Sequence, residues 1–249
     1  MRRPVLVLLT ALAAVPTAAA AQFPVLQAEA PWGPRLRVTP YAGVAPGVTR
    51  TEERVGIHNT TAAVTFDEVD VSLGSGVATG LSVEGRVWER FSLIGSALWV
   101  RRGDTREYSL AEGEFSEFHG SNMYIVKAGV AMRLREQEEE LQFRTVSAAV
   151  FVAPAVVVDD PRDHVFSVEQ DRMTLFGLNF GVDAEVPLSD RRFAVQLGLE
   201  DFVLWWDDDI LSQRADDINQ LRGRPVTSFV EAETSHMWLI RLGMSFRFM

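Results

Sequence analysis

Eight segments of this chain alternate apolar and polar residues with a period of two, and the connections between them alternate long and short. Because successive side chains of a β-strand point to opposite faces, each segment predicts a strand with one apolar face. A soluble sandwich has no reason to keep every second connection short, whereas membrane barrels have short turns on one side and long loops on the other. The segments are residues 35–44, 77–88, 91–101, 121–135, 141–156, 173–188, 192–206 and 236–249.

The last segment shows the alternation most clearly. One face is apolar, and the other is mostly small or charged. The segment exceeds the ordinary soluble strand of about 5–6 residues and suits a tilted strand that crosses a membrane with some overhang. A soluble strand with a terminal Phe-Arg-Phe is the alternative. The apolar face carries His236, Trp238, Ile240, Leu242, Met244, Phe246 and Phe248.

Composition excludes several classes of function. The chain has no cysteine, which rules out disulfides, thiolate metal sites and an acylated cysteine anchor. A net charge of −10 argues against a nucleic-acid partner, since phosphates require a basic surface. With a hydrophobic share of 47% the chain looks like a soluble protein. This share is misleading for a membrane barrel, because only every second residue of its strands faces lipid.

The first residues predict an export signal. Arg2 and Arg3 precede an apolar run at residues 5–15, and small residues follow up to Ala21. The run is shorter than the about 20 residues of a membrane-spanning helix, although a retained anchor is the alternative. We therefore expect a signal peptide at residues 1–21, an extended periplasmic lead-in at 22–34 and a barrel at 35–249.

The predicted fold is all-β: an eight-stranded antiparallel up-and-down transmembrane β-barrel with short periplasmic turns and long extracellular loops. The alternation breaks at Asp201, which indicates a bulge or the end of the membrane crossing. Aromatic residues near the strand ends are expected to form the girdles at the two membrane interfaces. These are Trp88, Phe91, Trp99, Tyr124, Phe193, Trp206, Trp238 and Phe248.

From residue 35 to 249 the chain resembles the small eight-stranded outer-membrane barrels of the outer-membrane protein A-like group. The most specific part is the ending Leu242-Gly-Met-Ser-Phe-Arg-Phe248, although Met249 follows the aromatic on which that family usually ends. The resemblance implies a location in the outer membrane, in contact with its lipid and lipopolysaccharide. It also implies recognition of the C-terminal strand by the outer-membrane assembly machinery, and we expect a monomer.

The polar faces predict a charged barrel interior. An eight-stranded barrel is only just wide enough for its own side chains, so a plug of paired charges is one interpretation. A narrow porin-like path for ions or small solutes is the other. The interior set is Glu84, Arg86, Lys127, Arg133, Asp183, Glu185, Gln196, Glu200, Arg241 and Arg247.

An enzymatic site is not indicated. The histidines at positions 58, 119 and 164 fall in predicted loops, and His236 lies at a strand end without a recognisable nucleophile setting. The acidic loops lack the spacing of a calcium loop, so we expect no metal and no cofactor.

In the last loop, Ile210, Arg214, Ile218 and Leu221 recur at helical spacing after an aspartate run, which predicts a short helix. The sequence thus favours a non-enzymatic outer-membrane barrel with a structural or surface-interaction role, and a lipid-modifying enzyme is the least favoured alternative.

Overall fold

The computed structural model of the chain describes residues 35–110, 113, 115–118, 120–135, 147–161, 164–165, 168–169, 172–188, 192–221, 223 and 226–248. The predicted signal peptide and lead-in lie outside the described residues. Within them the chain forms fifteen strands and one helix. They are β1 (Leu36–Ala45), β2 (Val48–His58), β3 (Val64–Leu73), β4 (Gly76–Trp88), β5 (Phe91–Arg102), β6 (Thr105–Ser109), β7 (Phe115–Phe118), β8 (Ser121–Arg135), β9 (Ser147–Pro161), β10 (His164–Val165), β11 (Val168–Glu169), β12 (Met173–Pro187), β13 (Phe193–Trp205), α1 (Asp208–Leu221), β14 (Val226–Ala232) and β15 (Ser235–Phe248).

Eight of the strands close into an antiparallel barrel in the order β1-β15-β13-β12-β9-β8-β5-β4. The barrel closes where β1 pairs with β15, for example with Val38 opposite Phe246. These eight strands are the eight segments expected from the alternation, so the predicted all-β barrel is confirmed. The start of the fifth segment, residues 141–146, lies outside the described residues. Its end was placed too early: β9 (Ser147–Pro161) continues past residue 156, because its Val and Ala residues are apolar on both faces and do not mark its end.

Asp201, where the sequence indicated a bulge or the end of the membrane crossing, has no bulge. The ladders of β13 with β12 and with β15 run without a register shift through Asp201, which lies opposite Phe180 and Trp238. The alternation of inward and outward side chains therefore continues to the end of β13.

The long connections contain regular secondary structure that the sequence analysis did not anticipate. They contain a five-stranded sheet in the order β14-β2-β3-β6-β7, which we call the extension sheet. In chain order, β1 leads into β2, β3 into β4, β5 into β6 and β14 into β15, each through a two-residue link. Four neighbouring barrel strands thus continue into four neighbouring strands of the extension sheet. We call this end of the barrel the sheet end, and the end with Arg35, the Glu89–Arg90 turn and Phe248 the turn end.

The helix expected after the aspartate run is present as α1. The Asp207 carboxylate accepts a hydrogen bond from the Ile210 N–H at 3.2 Å and so caps the first turn. Among the described residues, no helix has the length and apolar character needed to cross a membrane.

One face of α1 covers the free edge of β14. Backbone N–H groups of Val230 and Ala232 donate to Ser212 Oγ at 2.8 Å and to Asp208 Oδ1 at 3.1 Å. The Ser228 N–H donates to the Asp216 carboxylate, one helical turn beyond Ser212. These contacts satisfy the outward N–H groups of a strand edge, which would otherwise be open to pairing with another chain.

Candidate functional site: the barrel wall and interior

The outer wall of the barrel is an apolar belt, because every one of the eight strands exposes large apolar side chains. Its extent follows from β15, where Trp238 and Phe248 are ten residues apart. At about 3.3 Å per residue and a tilt of about 40°, this distance spans about 25 Å, the height of the apolar band of membrane barrels. The belt includes Leu36, Val44, Val77, Leu81, Val83, Leu93, Val126, Val130, Leu134, Val152, Phe176, Phe180, Val182, Leu197, Leu199, Ile240, Leu242 and Met244.

Most of the predicted girdle residues lie on this wall. Trp88, Phe91 and Phe248 are exposed at the turn end, while Tyr124 and Trp238 are exposed towards the sheet end. Two others are half-buried: the Phe193 ring packs edge-on against Phe246 with centroids 5.5 Å apart, and Trp99 Nε1 donates to Asn122 Oδ1 at 3.2 Å.

Trp206 was wrongly expected in the girdle. The Arg50 guanidinium stacks 3.8 Å from the centre of its ring, and its Nε1 donates to Ser235 Oγ at 2.9 Å. Because the alternation of β13 is unbroken, the outward residue is the preceding Trp205, which is 49% exposed.

At the turn end the interior holds a cluster of three arginines and two glutamates, which we call the turn-end cluster. Arg133 Nη2 lies 2.8 Å from both carboxylate oxygens of Glu84, and Arg37 Nη1 lies 3.2 Å from Oε1 of the same group. The Glu185 carboxylate lies 3.1 Å from Arg247, 3.5 Å from Arg133 and 3.7 Å from Arg37. These residues come from β1, β4, β8, β12 and β15, so the ion pairs cross the lumen.

Half-way along the lumen a second set, the central cluster, balances two cations against two carboxylates. Arg241 Nη2 lies 2.8 and 2.9 Å from the two oxygens of Asp183, and its Nε lies 2.5 Å from Glu200 Oε1. Lys127 pairs with Glu200 and donates to Asn179 Oδ1 at 2.7 Å. The Arg241, Glu200 and Lys127 side chains are each no more than 1% exposed and that of Asp183 is 8% exposed, so the cluster is buried.

Glycines on the inner wall make room for these side chains. A Cβ at position 198 would lie 2.5 Å from Asp183 Oδ1 and 2.8 Å from Arg241 Nε. At Gly181 it would lie 2.1 Å from the Phe151 ring. The small inward residues are therefore matched to large neighbours, as in other filled barrels.

Towards the sheet end the interior is apolar, which the sequence analysis did not predict. Buried side chains of the barrel wall meet Leu211 and Ala215 of α1 and Val230 of β14 in one hydrophobic cluster. The sequence held a signal for it, since Met237 and Leu239 share a strand face with Arg241. The wall residues of this half include Leu98, Val100, Met123, Ile125, Val157, Leu175, Phe202, Leu204, Met237 and Leu239.

Eight of the ten residues expected in the lumen lie in the two clusters. The other two lie elsewhere on the wall: Arg86 is opposite Ser92, and Gln196 is opposite Glu185 in the strand register. Arg37, Tyr41 and Asn179 were not in the expected set, although Arg37 and Tyr41 lie on the inward face of β1. Tyr41 packs its ring 4.8 Å from the Arg241 guanidinium and hydrogen-bonds Ser96 at 2.8 Å.

The extension sheet has its own buried ion network on the face that continues the barrel interior. The Glu52 side chain is 1% exposed and lies 2.5 Å from Arg50 and 2.6 Å from Arg54. Arg54 also lies 3.2 Å from Glu107 of β6. Burial alone would raise the pKa of Glu52, but the two guanidinium groups outweigh it and hold this pKa below its ordinary value.

The histidine at the rim pairs with a carboxylate. His236 Nδ1 lies 2.8 Å from Asp201 Oδ2 on the outer wall. The neighbouring Ser235 is buried and accepts the Trp206 hydrogen bond. In the described part of the chain, no three histidine or acidic side chains are grouped as metal ligands.

No family model matches the chain, and no curated protein matches its sequence. Among solved structures, the chain is similar to the outer membrane protease OmpT from Escherichia coli, with 7% identity and a TM-score of 0.39 over 85% of this chain and 97% of that one. It is also similar to Ail, the attachment invasion locus protein of Yersinia pestis, with 11% identity and a TM-score of 0.31 over 83% and 99%. A third is the translocator domain of autotransporter NalP from Neisseria meningitidis, with 13% identity and a TM-score of 0.31 over 96% and 98%. Identities and TM-scores this low assign neither a family nor an activity.

Proposed function

We propose that this chain is a non-enzymatic outer-membrane β-barrel with a filled lumen, which holds the extension sheet and α1 outside the membrane in a structural or surface-interaction role. The observation that carries the proposal is the closed barrel whose eight strands all expose apolar side chains over about 25 Å. A closed barrel leaves no unpaired strand edge, which is the condition for β-structure in lipid.

The belt is hard to reconcile with a soluble protein. The largest apolar patch of a typical soluble monomer covers about 300–600 Å², whereas this belt encircles the whole barrel. The aromatic residues towards both ends of the belt match the interfacial girdles of membrane barrels. We propose outer-membrane lipid and lipopolysaccharide as the contacts of this wall, and a monomer as the assembly state.

The orientation follows from the connections. Membrane barrels of the outer membrane have their short turns in the periplasm and their long connections outside. The Glu89–Arg90 turn and the short connection from β12 to β13 lie at the turn end, whereas the extension sheet lies at the other. We therefore place the extension sheet outside, and we propose that assembly machinery recognises β15 from the periplasmic side.

The filled lumen supports a barrel that does not conduct. The turn-end and central clusters cross the lumen, and the apolar half beyond them is covered by α1. A hydrated pore would instead keep its charges in water along a continuous path.

Four measurements test the proposal. Fractionated cells should show the protein in the outer membrane, and its gel mobility should shift between unboiled and boiled samples. The folded protein in planar bilayers should give no stable conductance steps, and overexpression should leave the lipid A mass spectrum unchanged. A soluble periplasmic protein without a mobility shift would refute the barrel in the membrane, and steady conductance would establish the porin-like alternative.

A further inference from the structure

The outer face of the extension sheet ends in a cluster of apolar side chains, which we call the tip face; all of them are exposed except Val55, which is half-buried. Phe229 of β14, Val55 of β2 and Phe66 of β3 lie directly opposite one another on adjacent strands. One row further out, Ile57 lies opposite Val64. Phe66 is 74% exposed and Phe229 is 54% exposed. Exposed aromatic side chains in one contiguous patch are typical of interaction sites.

A row of three glutamates lies beside the tip face. Glu231, Glu53 and Glu68 are opposite one another on the same three strands, two residues closer to the barrel than the aromatic row. Cβ atoms of directly opposite residues are about 4.5–5.5 Å apart, and like charges at that distance destabilise a sheet. All three side chains are exposed, and no cation of the described residues pairs with any of them.

The opposite face of the same strands is packed. Val69 and Val71 are buried there together with the ion network of Glu52, and α1 holds the edge of β14. The tip face and the glutamate row are therefore presented on a pre-formed surface, which lowers the entropic cost of binding.

Charge decides which occupant fits this surface. A second copy placed face to face would bring two glutamate rows together, and anionic lipid would meet the same repulsion. We infer that the tip face and the glutamate row form a docking surface for a positively charged polypeptide segment that also presents apolar side chains. The inference rests on the proposed function only for the location of this surface outside the membrane.

The spacing sets the geometry of the partner. Residues two apart along a strand are separated by about 7 Å, so the aromatic and glutamate rows are about 7 Å apart. An extended peptide places side chains i and i+2 on one face at the same separation. Phenylalanine and lysine two residues apart should therefore reach both rows at once.

The probe is a fluorescent peptide of three Phe-Ser-Lys-Ser repeats, titrated by anisotropy into the full chain folded in detergent micelles. Binding should weaken as salt is added, because charges at an exposed surface are screened. The Glu53→Gln/Glu68→Gln variant should bind about fivefold more weakly, and Phe66→Ser/Phe229→Ser at least about tenfold more weakly. The control Glu89→Gln/Asp209→Asn also removes two exposed carboxylates, but away from this surface, and should bind as the parent does.

The peptides give a second control. A probe with glutamate in place of lysine should not bind, and one with serine in place of phenylalanine should bind at least about tenfold more weakly. The inference would be overturned if the lysine and glutamate peptides bound equally well. It would also be overturned if the parent and the two docking-surface variants bound the lysine peptide equally well. The gel mobility shift shows that the barrel of each variant is folded.

Intact cells separate this inference from the proposed function. Labelling of intact cells by the probe, lost in the Phe66→Ser/Phe229→Ser variant, supports both. Binding to the purified protein and to permeabilised cells, without labelling of intact cells, supports the docking surface and refutes its placement outside the membrane.

Discussion

Replacing Arg241 by glutamine tests whether the lumen is filled and dry. Arg241 holds both oxygens of Asp183 and lies 2.5 Å from Glu200, and its side chain is 1% exposed. The substitution leaves two buried carboxylates with Lys127 as the remaining cation of the central cluster. Removing one partner of a buried ion pair costs about 3–5 kcal/mol, because the other charge stays buried without compensation. We expect the Arg241→Gln variant to lose free energy of unfolding in that range.

A double variant separates the cost of an uncompensated charge from the loss of a side chain. Arg241→Leu/Asp183→Leu removes one cation and one anion and leaves Lys127 paired with Glu200. Since replacing both partners of a buried pair by apolar residues is often nearly neutral, the double variant should be more stable than Arg241→Gln by at least about 2 kcal/mol. The assay is urea unfolding of the protein refolded in lipid vesicles, followed by tryptophan fluorescence.

The exposed pair of Arg106 and Glu117 provides the control. Their side chains are 62% and 48% exposed, so Arg106→Gln should cost at most about 1 kcal/mol. The reasoning would be refuted if Arg241→Gln cost no more than this control and the double variant showed no coupling. Both results would mean that water reaches the central cluster, as a pore requires.

Four further substitutions, one of them a control, test other parts of the structure. Gly181→Ala should destabilise the protein by about 1–3 kcal/mol in the urea assay, because its Cβ would overlap a buried ring, whereas Gly85→Ala has open space and should be neutral. Ser212→Ala should cost about 1–3 kcal/mol and speed hydrogen exchange at the Val230 amide, which loses its acceptor. Because the folded state holds the pKa of Glu52 below its ordinary value, the stabilisation from Glu52 is present at neutral pH and lost as acid protonates the folded carboxylate. The protection factors of the β2 amides should therefore fall in the parent as the pH drops below the ordinary pKa of a glutamate, and Glu52→Gln should lower them at neutral pH as well, with less dependence on pH.

The barrel could be predicted because its apolar side chains face outward on a regular period. The alternation in each segment arises because its apolar side chains face the outside of the barrel. It can therefore be recognised in the sequence without knowing which strands are neighbours. The extension sheet could not be predicted in the same way. Its strand β2 points Arg50, Glu52 and Arg54 inward, where they pair with one another and with β6. Burying charges on the inner face removes the apolar period that marks a strand, so this stretch was predicted to be a loop.

The interior was predicted as a set of residues but not as an arrangement. Glu185 approaches arginines of β1, β8 and β15. These contacts depend on the register of strands that are far apart in the sequence. The apolar half of the lumen depends on α1, whose packing over the barrel the sequence does not specify. Trp206 was misplaced because it was assigned to the girdle from its position near a strand end, whereas the unbroken alternation of β13 turns Trp205 outward instead.

The adjacent residues Trp205 and Trp206 allow the most direct test of a membrane barrel with a filled interior. Single-tryptophan variants, with the other five tryptophans replaced by phenylalanine, are folded into vesicles of brominated lipid, which quenches fluorescence on contact. We predict strong quenching of Trp238, which is exposed at the edge of the apolar belt, weaker quenching of Trp205, which is exposed closer to the sheet end, and little quenching of Trp206, which packs under Arg50. Equal quenching of Trp205 and Trp206, or no quenching of Trp238, would contradict this structure of the barrel in the membrane.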